Sequence, residues 1–320
     1  MARLSYAAAA CAALERAMAA DARVVALGED VGRGGIFGQY RGLQQKFGVA
    51  RVIDTPISES TIMGAAVGMA LAGLKPVVEM RVVDFALCAM DEIVNQAAKA
   101  RYMFGGQARV PLVARLPIGI WTGSAAQHSQ SLEAWFAHIP GLVVVTPSDA
   151  QDNFGLLSAA IACDDPVIYM EHKELWGAEG EVDAGSADGN EVVALGKAKV
   201  LRSGRDVTLV SWSRTVQLAA VAADAAAKAG ISVELIDLRT IWPWDRDTVL
   251  ASAAKTKRLV VAHEAVQAGG FGAEIAATVA EELGVPVKRV GGPRIPVGYS
   301  RPLEDAARVS VDAIARALRA

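Results

Sequence analysis

The sequence predicts an α/β protein built of two doubly wound domains. Short apolar runs alternate with helix-length stretches, which argues for parallel strands joined by crossover helices. A small, acidic, glycine-rich segment interrupts the alternation once, at 177–190, and a second strand–helix series then begins at Asp206. At 320 residues the chain exceeds the usual single-domain size. These observations divide it into a domain over 1–176, a linker over 177–195 and a domain over 196–320.

In the first domain, residues 5–20 read as a helix capped by Ser5, and Arg23 to Leu27 as a buried strand ending in Gly28-Glu29-Asp30. A glycine-rich loop, 32–38, follows. The strand at 51–54 is stopped by Pro56, and a Gly/Ala-rich helix starts at Ser58-Glu59 and runs to 73. Thr61 to Ala72 contains only apolar residues, Gly and Thr, so this helix is expected to be buried. Next come a strand over 76–81, a helix across 88–103, strands near 111–115 and 142–146 flanking a loop and a helix, and a strand over 167–171. In the second domain the readings are strand 207–212, helix 214–229, strand 231–236, strand 259–262, helix 272–283, strand 286–290 and a final helix over 304–319.

Composition excludes several function classes. Thirty-two basic against 35 acidic residues give no electrostatic footprint for nucleic acid or an anionic membrane. No apolar run reaches membrane-spanning length without Gly, Pro or charge. The N-terminus lacks a basic-then-apolar signal region, and Cys11, Cys88 and Cys163 show no metal or disulfide spacing. A cytoplasmic protein with reduced thiols is the expectation.

Glu59 is the most informative position. A lone carboxylate at the mouth of an apolar helix is costly unless it has a partner, although backbone amides at a helix N-terminus also satisfy an acid there. His128, in the polar run 125–131, is either a catalytic group on a loop or a surface histidine capping the helix at 131–137. Phe85 is either core or a platform for a ring. Asp91, Glu92, Asn95 and Lys99 form a solvated helix face or a subunit contact. The glycine loop 32–38 has neither GxGxxG nor GxxxxGK[ST] spacing, so it reads as a tight turn. Gly269-Gly-Phe-Gly272 suits an anion or a strand-to-helix turn.

In order along the chain stand Gly28-Glu-Asp30, Thr55-Pro-Ile-Ser-Glu59, Gly73-Leu-Lys-Pro-Val-Val-Glu79, Asp91-Glu-Ile-Val-Asn-Gln-Ala-Ala-Lys99 and His128-Ser-Gln130. Pro140 to Pro147, Asp164-Asp-Pro-Val-Ile168 and Asp237-Leu-Arg-Thr-Ile241 follow. With them the whole chain resembles the β subunit of the thiamine-diphosphate-dependent E1 component of 2-oxo acid dehydrogenase complexes, acetoin dehydrogenase included. The resemblance implies a transketolase-like pyrimidine-binding domain followed by a transketolase C-terminal domain. It also implies an α2β2 heterotetramer with the cofactor shared with the α subunit, and acyl transfer to lipoamide on an E2 lipoyl acyltransferase.

By that resemblance Glu59 matches the glutamate that shares a proton with the aminopyrimidine ring, and Ile57 and Phe85 match positions lining the ring's pocket. Arg81 stands where relatives usually carry Met or Gln. His128 matches the histidine facing the reaction centre. Carbonyls of Leu112, Ala160, Ile161, Cys163 and Asp165 match a monovalent-cation (K⁺) site of some members, with Cys163 replacing a common Asp. The GDG motif that holds the diphosphate and its Mg²⁺ is missing, and Ala187-Asp-Gly-Asn190 is the nearest approach. The α subunit is therefore expected to hold Mg²⁺.

Pyruvate or acetoin is the expected substrate, because the segment before His128 lacks the glycine-rich, tyrosine-bearing loop of branched-chain relatives. Glu171 to Trp176 leans toward acetoin. Two rival readings are half of a split transketolase-type enzyme and a non-catalytic assembly subunit on the same fold.

Overall fold

The structure is a computed structural model describing residues 1–184 and 193–320. Its contacts group residues 1–118 with 135–195 in one unit, and 119–134 with 196–320 in another. The Ala187–Asn190 stretch and part of the expected linker lie outside the described residues.

In the first unit a parallel sheet runs in the order Val143–Val145, Val167–Tyr169, Val113–Arg115, Lys75–Glu79, Val24–Gly28, Val52–Asp54. Its strands are mostly valine and buried, as expected where helices cover a parallel sheet. Helices Tyr6–Ala20 and Ala150–Ala162 pack together over one core with Val24, Ala26, Val77 and Val113. Ser5 caps the first of these through its hydroxyl, which accepts from Ala8 N at 3.2 Å.

Several elements differ from the sequence reading. Glu179–Val182, within the segment expected to be a linker, is a strand paired antiparallel with Ala2–Ser5. The helix expected across 88–103 is three pieces: a 3₁₀ turn at Phe85–Ala89, π-helical turns at Glu92–Ala97 and an α-helix at Ala98–Met103. Ala150–Ala162 is a helix where the sequence predicts no element, capped by Asp149, which accepts from Asp152 N at 2.7 Å.

The Glu59–Leu71 helix is only half-buried. Ile62, Met63, Ala66, Val67 and Ala70 face inward, while Gly64, Ala65, Gly68 and Leu71 are exposed. A helix apolar on every side can meet its own sheet along only one stripe. The opposite stripe stays exposed among the described residues, apart from its edge toward Glu92.

An ionic cluster sits inside this unit. Arg115 donates from Nε and Nη2 to Glu171 at 2.8 Å each, and both residues are fully buried. Asn153 Nδ2 donates to Glu171 at 3.0 Å, and the Arg115 guanidinium lies 4.9 Å from the Tyr40 ring centroid. Glu79 is 2% exposed beside Gln39, and its carboxyl is pushed up to about 7, chiefly by burial, with the Arg115 cation opposing. Glu171, His172, Lys173, Leu175 and Trp176 are all buried, so the segment that leaned toward acetoin serves the interior of this unit.

In the second unit the sheet order is Val287–Gly292, Leu259–Val266, Val207–Ser211, Val233–Asp237, Lys199–Arg202, with only the last strand antiparallel. That edge strand and the helix Arg246–Thr256 were not anticipated. The expected final helix is two, Arg301–Ala307 and Val311–Arg319, because Arg308 is extended and Ser310 starts a new cap by accepting from Ala313 N at 3.1 Å. Among the described residues no helix is long and apolar enough to cross a membrane.

Candidate active site

In open α/β sheets ligands bind beyond the carboxyl ends of the strands. In the first unit the register pairs Gly28 with both Asp54 and Glu79, so three neighbouring strands end at one level. Their following loops gather Glu29 and Asp30, Ile57 to Glu59, and Arg81 to Phe85 at that edge. An added Cβ at Gly28 would lie 2.5 Å from the Glu79 carbonyl oxygen, so glycine lets the strands close up there.

Glu59 is the first residue of its helix and is half-buried. Ser58 does not cap a backbone amide; its hydroxyl donates to Thr61 Oγ1 at 2.8 Å. Among the described residues the Glu59 carboxylate makes no hydrogen bond and no ion pair. Its electrostatic neighbour is another acid, Glu29, whose carboxyl is pushed up by burial, opposed by the Arg81 guanidinium, and pushed further by Glu59 and Asp30. Arg81 Nη1 donates to Asp30 Oδ2 at 2.7 Å, and its Nε lies 4.0 Å from Glu29 Oε2. Ile57 is 78% exposed and Phe85 half-buried, and the Phe85–Ala89 turn packs on the Glu59 helix. Ser60 donates to Glu92 at 2.6 Å.

The glycine loop is held away from a phosphate role. Asp54 accepts from Gly32 N at 2.7 Å, and a Cβ at Gly32 would lie 2.2 Å from that carboxylate. An acid at the loop's heart repels phosphate.

His128 lies in the second unit, on an exposed 3₁₀ turn, Ala126–His128, opened by Ala125 in the left-handed region. Its segment is tied down by carboxylates: Glu264 accepts from Ile120 N at 2.6 Å, Glu304 from Gly123 N at 2.9 Å, and Glu133 from Trp212 Nε1 at 3.0 Å. Beside the turn lies a cavity of 470 Å³ lined by Ile120, Ser129, Ser131, Leu132 and Ile295 among others. Of the remaining histidines, His172 Nδ1 accepts from Glu174 N at 3.1 Å, and His263 stacks on Trp212 at 5.0 Å. His263 is pushed down to about 4 by burial. Gly270 and Gly272 press on its ring, where an added Cβ would come within 2.6 and 2.7 Å. That close packing, a tight turn, accounts for the 269–272 run.

The five carbonyls expected for a monovalent cation all lie in the first unit. Ala160, Ile161 and Cys163 end the Ala150–Ala162 helix. Leu112 O accepts from Val167 N at 2.8 Å, Ala160 O from Cys163 N at 3.2 Å, and Ile161 O from Lys75 Nζ at 3.4 Å. A carbonyl oxygen retains a second lone pair for a cation. Asp165 pairs with Arg101 and Asp164 with Arg109. Among the described residues no three His, Cys, Asp or Glu side chains gather as a metal site.

The sequence singles out Glu59 and its flanking residues but not Glu29 and Asp30, which gather at the same edge, or Glu264, which holds the His128 segment. Gly28-Glu-Asp30, a strand end and the first of the segments that carry the resemblance, is the one signal for the first two.

The profile of "Transketolase, pyrimidine binding domain" matches residues 2–178, and that of "Transketolase, C-terminal domain" matches 196–314. Fold and site thus define a transketolase-type two-domain protein. A solved split-gene transketolase, an inactive β4 tetramer, superposes with a TM-score of 0.79 at 21% identity, over 99% of this chain and 97% of that one; this likeness shows the fold alone.

Three sequence relatives are more specific. The "Pyruvate dehydrogenase E1 component subunit beta-2, mitochondrial" of Oryza sativa subsp. japonica is 45% identical over 96% of this chain and 83% of that protein. The "Acetoin:2,6-dichlorophenolindophenol oxidoreductase subunit beta" of Cupriavidus necator is 43% identical over 96% and 94%. The "2-oxoisovalerate dehydrogenase subunit beta" of Bacillus subtilis is 40% identical over 100% and 98%. The chain belongs to this family of 2-oxo acid dehydrogenase E1 β subunits.

The thiamine diphosphate that the family implies suits the first unit's edge. Among the described residues the Glu59 carboxylate has no hydrogen-bond donor, and it stands at the same edge as the exposed Ile57 and the half-buried Phe85, an acceptor and two apolar groups that fit an aminopyrimidine ring.

Proposed function

We propose that this chain is the β subunit of a thiamine-diphosphate-dependent E1 component acting on pyruvate or acetoin, active only with an α subunit in an α2β2 heterotetramer. The observation that carries the reading is the Glu59 carboxylate at the carboxyl edge of the sheet, without a hydrogen bond or ion pair among the described residues, in a chain similar end to end to E1 β subunits. When bound, the cofactor supplies the electron sink that lets the bond beside the substrate carbonyl break. The acyl group then passes to lipoamide on an E2 lipoyl acyltransferase, whose disulfide is reduced.

Glu59 holds a proton at a ring nitrogen. Ile57 and Phe85 pack against the ring and exclude water from that proton, and Arg81 sets the charge of the acids around it. His128, on a turn held by fixed carboxylates, moves a proton at the reacting carbonyl. The diphosphate and Mg²⁺ belong to the α subunit. The carbonyls of Leu112, Ala160, Ile161, Cys163 and Asp165 hold K⁺. The exposed stripe at Gly64, Ala65, Gly68 and Leu71 suits burial on assembly.

Along the chain the domain limits are 1–176 and 196–320, with the 119–134 segment that carries His128 grouping with the second unit. We place the complex in the cytoplasm, where Cys11, Cys88 and Cys163 stay reduced; recovery from an organelle fraction would contradict that. The decisive experiment co-expresses the chain with its α subunit. Decarboxylation of pyruvate and branched 2-oxo acids, cleavage of acetoin and turnover of sugar phosphates are compared with and without thiamine diphosphate and Mg²⁺. Activity of this chain alone, or on sugar phosphates only, would overturn the reading.

A further inference from the structure

The segment that carries His128 is a closed loop. Gly119 N donates to Gln130 O at 2.9 Å, which joins the two ends of the 119–130 excursion. Inside it the backbone offers little of its own: the 3₁₀ turn Ala126–His128 and a bond from Ser124 N to Trp121 O at 3.0 Å. One side of the loop faces the 470 Å³ cavity, which Ile120 lines from the outward arm and Ala126 and Ser129 from the return. Close packing does not hold the loop on that side, so hydrogen bonds must.

Two carboxylates supply them, each from a regular element of the second unit. Glu264 lies in the strand Leu259–Val266, which is paired on both sides. Its register with Val287–Gly292 slips between Ala262 and Val266, the kind of irregularity that re-aims a side chain. Glu264 Oε1 accepts from Ile120 N at 2.6 Å. Glu304 lies in the helix Arg301–Ala307, is fully buried, and accepts through Oε1 from Gly123 N at 2.9 Å. Arg308 Nη2 stands 3.7 Å from its other oxygen. A backbone amide bonds an ionised acceptor more strongly than a neutral one. Both carboxylates grip the outward arm, and the Gly119–Gln130 bond passes that placement to the return arm, where His128 stands.

We propose that Glu264 and Glu304 are positioning residues for His128: by holding the amides of Ile120 and Gly123 they fix the loop, and with it the reach of the imidazole to the reacting carbonyl. This rests on the assignment of His128 above. Groups borne on strands and helices place a loop more tightly than the loop can place itself.

The test uses the reconstituted α2β2 protein with Glu264→Leu, Glu264→Gln, Glu304→Leu and His128→Gln in the β chain, and with each Leu change also combined with His128→Gln. Amide hydrogen exchange over 119–130 is followed in the assembled protein without cofactor, and kcat and KM with cofactor and substrate. Each Leu change removes an acceptor, so exchange over the loop quickens. With it kcat falls by about 10–100-fold while KM stays within a few-fold, as for a catalytic group displaced by about 1 Å. Glu264→Gln keeps a side-chain oxygen for the Ile120 amide and recovers most of the rate. In the His128→Gln background the imidazole is already gone, so either Leu change lowers kcat by no more than about two-fold further. Unchanged exchange in the Leu variants, equal losses in Glu264→Gln and Glu264→Leu, or a full further loss in the His128→Gln background overturns the proposal. Should Glu304→Leu fail to assemble, the Glu264 series decides by the same criteria. If His128→Gln alone leaves activity intact, the assignment of His128 fails instead.

Discussion

Glu171→Gln should destabilise the protein strongly, and by an amount that depends on pH. In the native unit Arg115 and Glu171 are both fully buried and share two hydrogen bonds of 2.8 Å. Removing one charge leaves a guanidinium without its counter-ion, a change that costs about 3–5 kcal/mol in buried pairs. Glu79 modifies this figure. Its carboxyl, at about 7, is held up mainly by burial and also by repulsion from Glu171. Without the Glu171 charge that repulsion disappears, and Glu79 ionises more readily and becomes the counter-ion. The loss should therefore be near the full ~4 kcal/mol at pH 6 and about half of that at pH 8.

At roughly 2–4 °C per kcal/mol, the melting temperature falls by about 10 °C at pH 6. Scanning calorimetry of the assembled protein at both pH values measures this. The double change Arg115→Met with Glu171→Leu, which leaves no buried charge, should recover most of the loss. A loss below about 1 kcal/mol at pH 6, or one that grows toward pH 8, refutes the reasoning.

Two further outcomes follow. His263, held at about 4 against its usual 6.5, is neutral in the folded state. A depressed value contributes stability that is present above pH 6.5 and lost as pH falls toward 4, so about 3 kcal/mol should disappear across that window. Urea midpoints should show it, and His263→Phe should flatten that part of the profile. For the cation site, K⁺ should raise the melting temperature relative to choline at equal ionic strength, since a ligand of the folded state alone stabilises it. Equal midpoints in the two salts remove K⁺ from the account.

Much of the fold was legible because its signals are local. Valine-rich runs such as Val24–Gly28 can only be buried strands, and Ser5 announces a cap in four letters. Glu59 was legible as an acid out of keeping with an apolar helix. The rest depended on distance along the chain. The turn bearing His128 groups with the second unit because Glu264 and Glu304, more than 140 residues away, accept its amides. Arg115 and Glu171 look like surface charges until their pairing is seen. Lys199–Arg202 is a half-exposed edge strand without a continuous apolar run. The exposed stripe of the Glu59 helix misled in the opposite sense, since apolar composition states that a surface avoids water but not which chain covers it. Left-handed backbone at Arg81 has no sequence signature at all.

The most direct measurement is the decarboxylation rate of the reconstituted α2β2 protein carrying Glu59→Gln, with thiamine diphosphate and Mg²⁺ saturating. An amide cannot take up and release the ring proton, so a fall of about 10²–10⁴-fold is predicted with assembly intact. A rate within a few-fold of wild type would contradict the assignment of Glu59 as the acid that serves the cofactor.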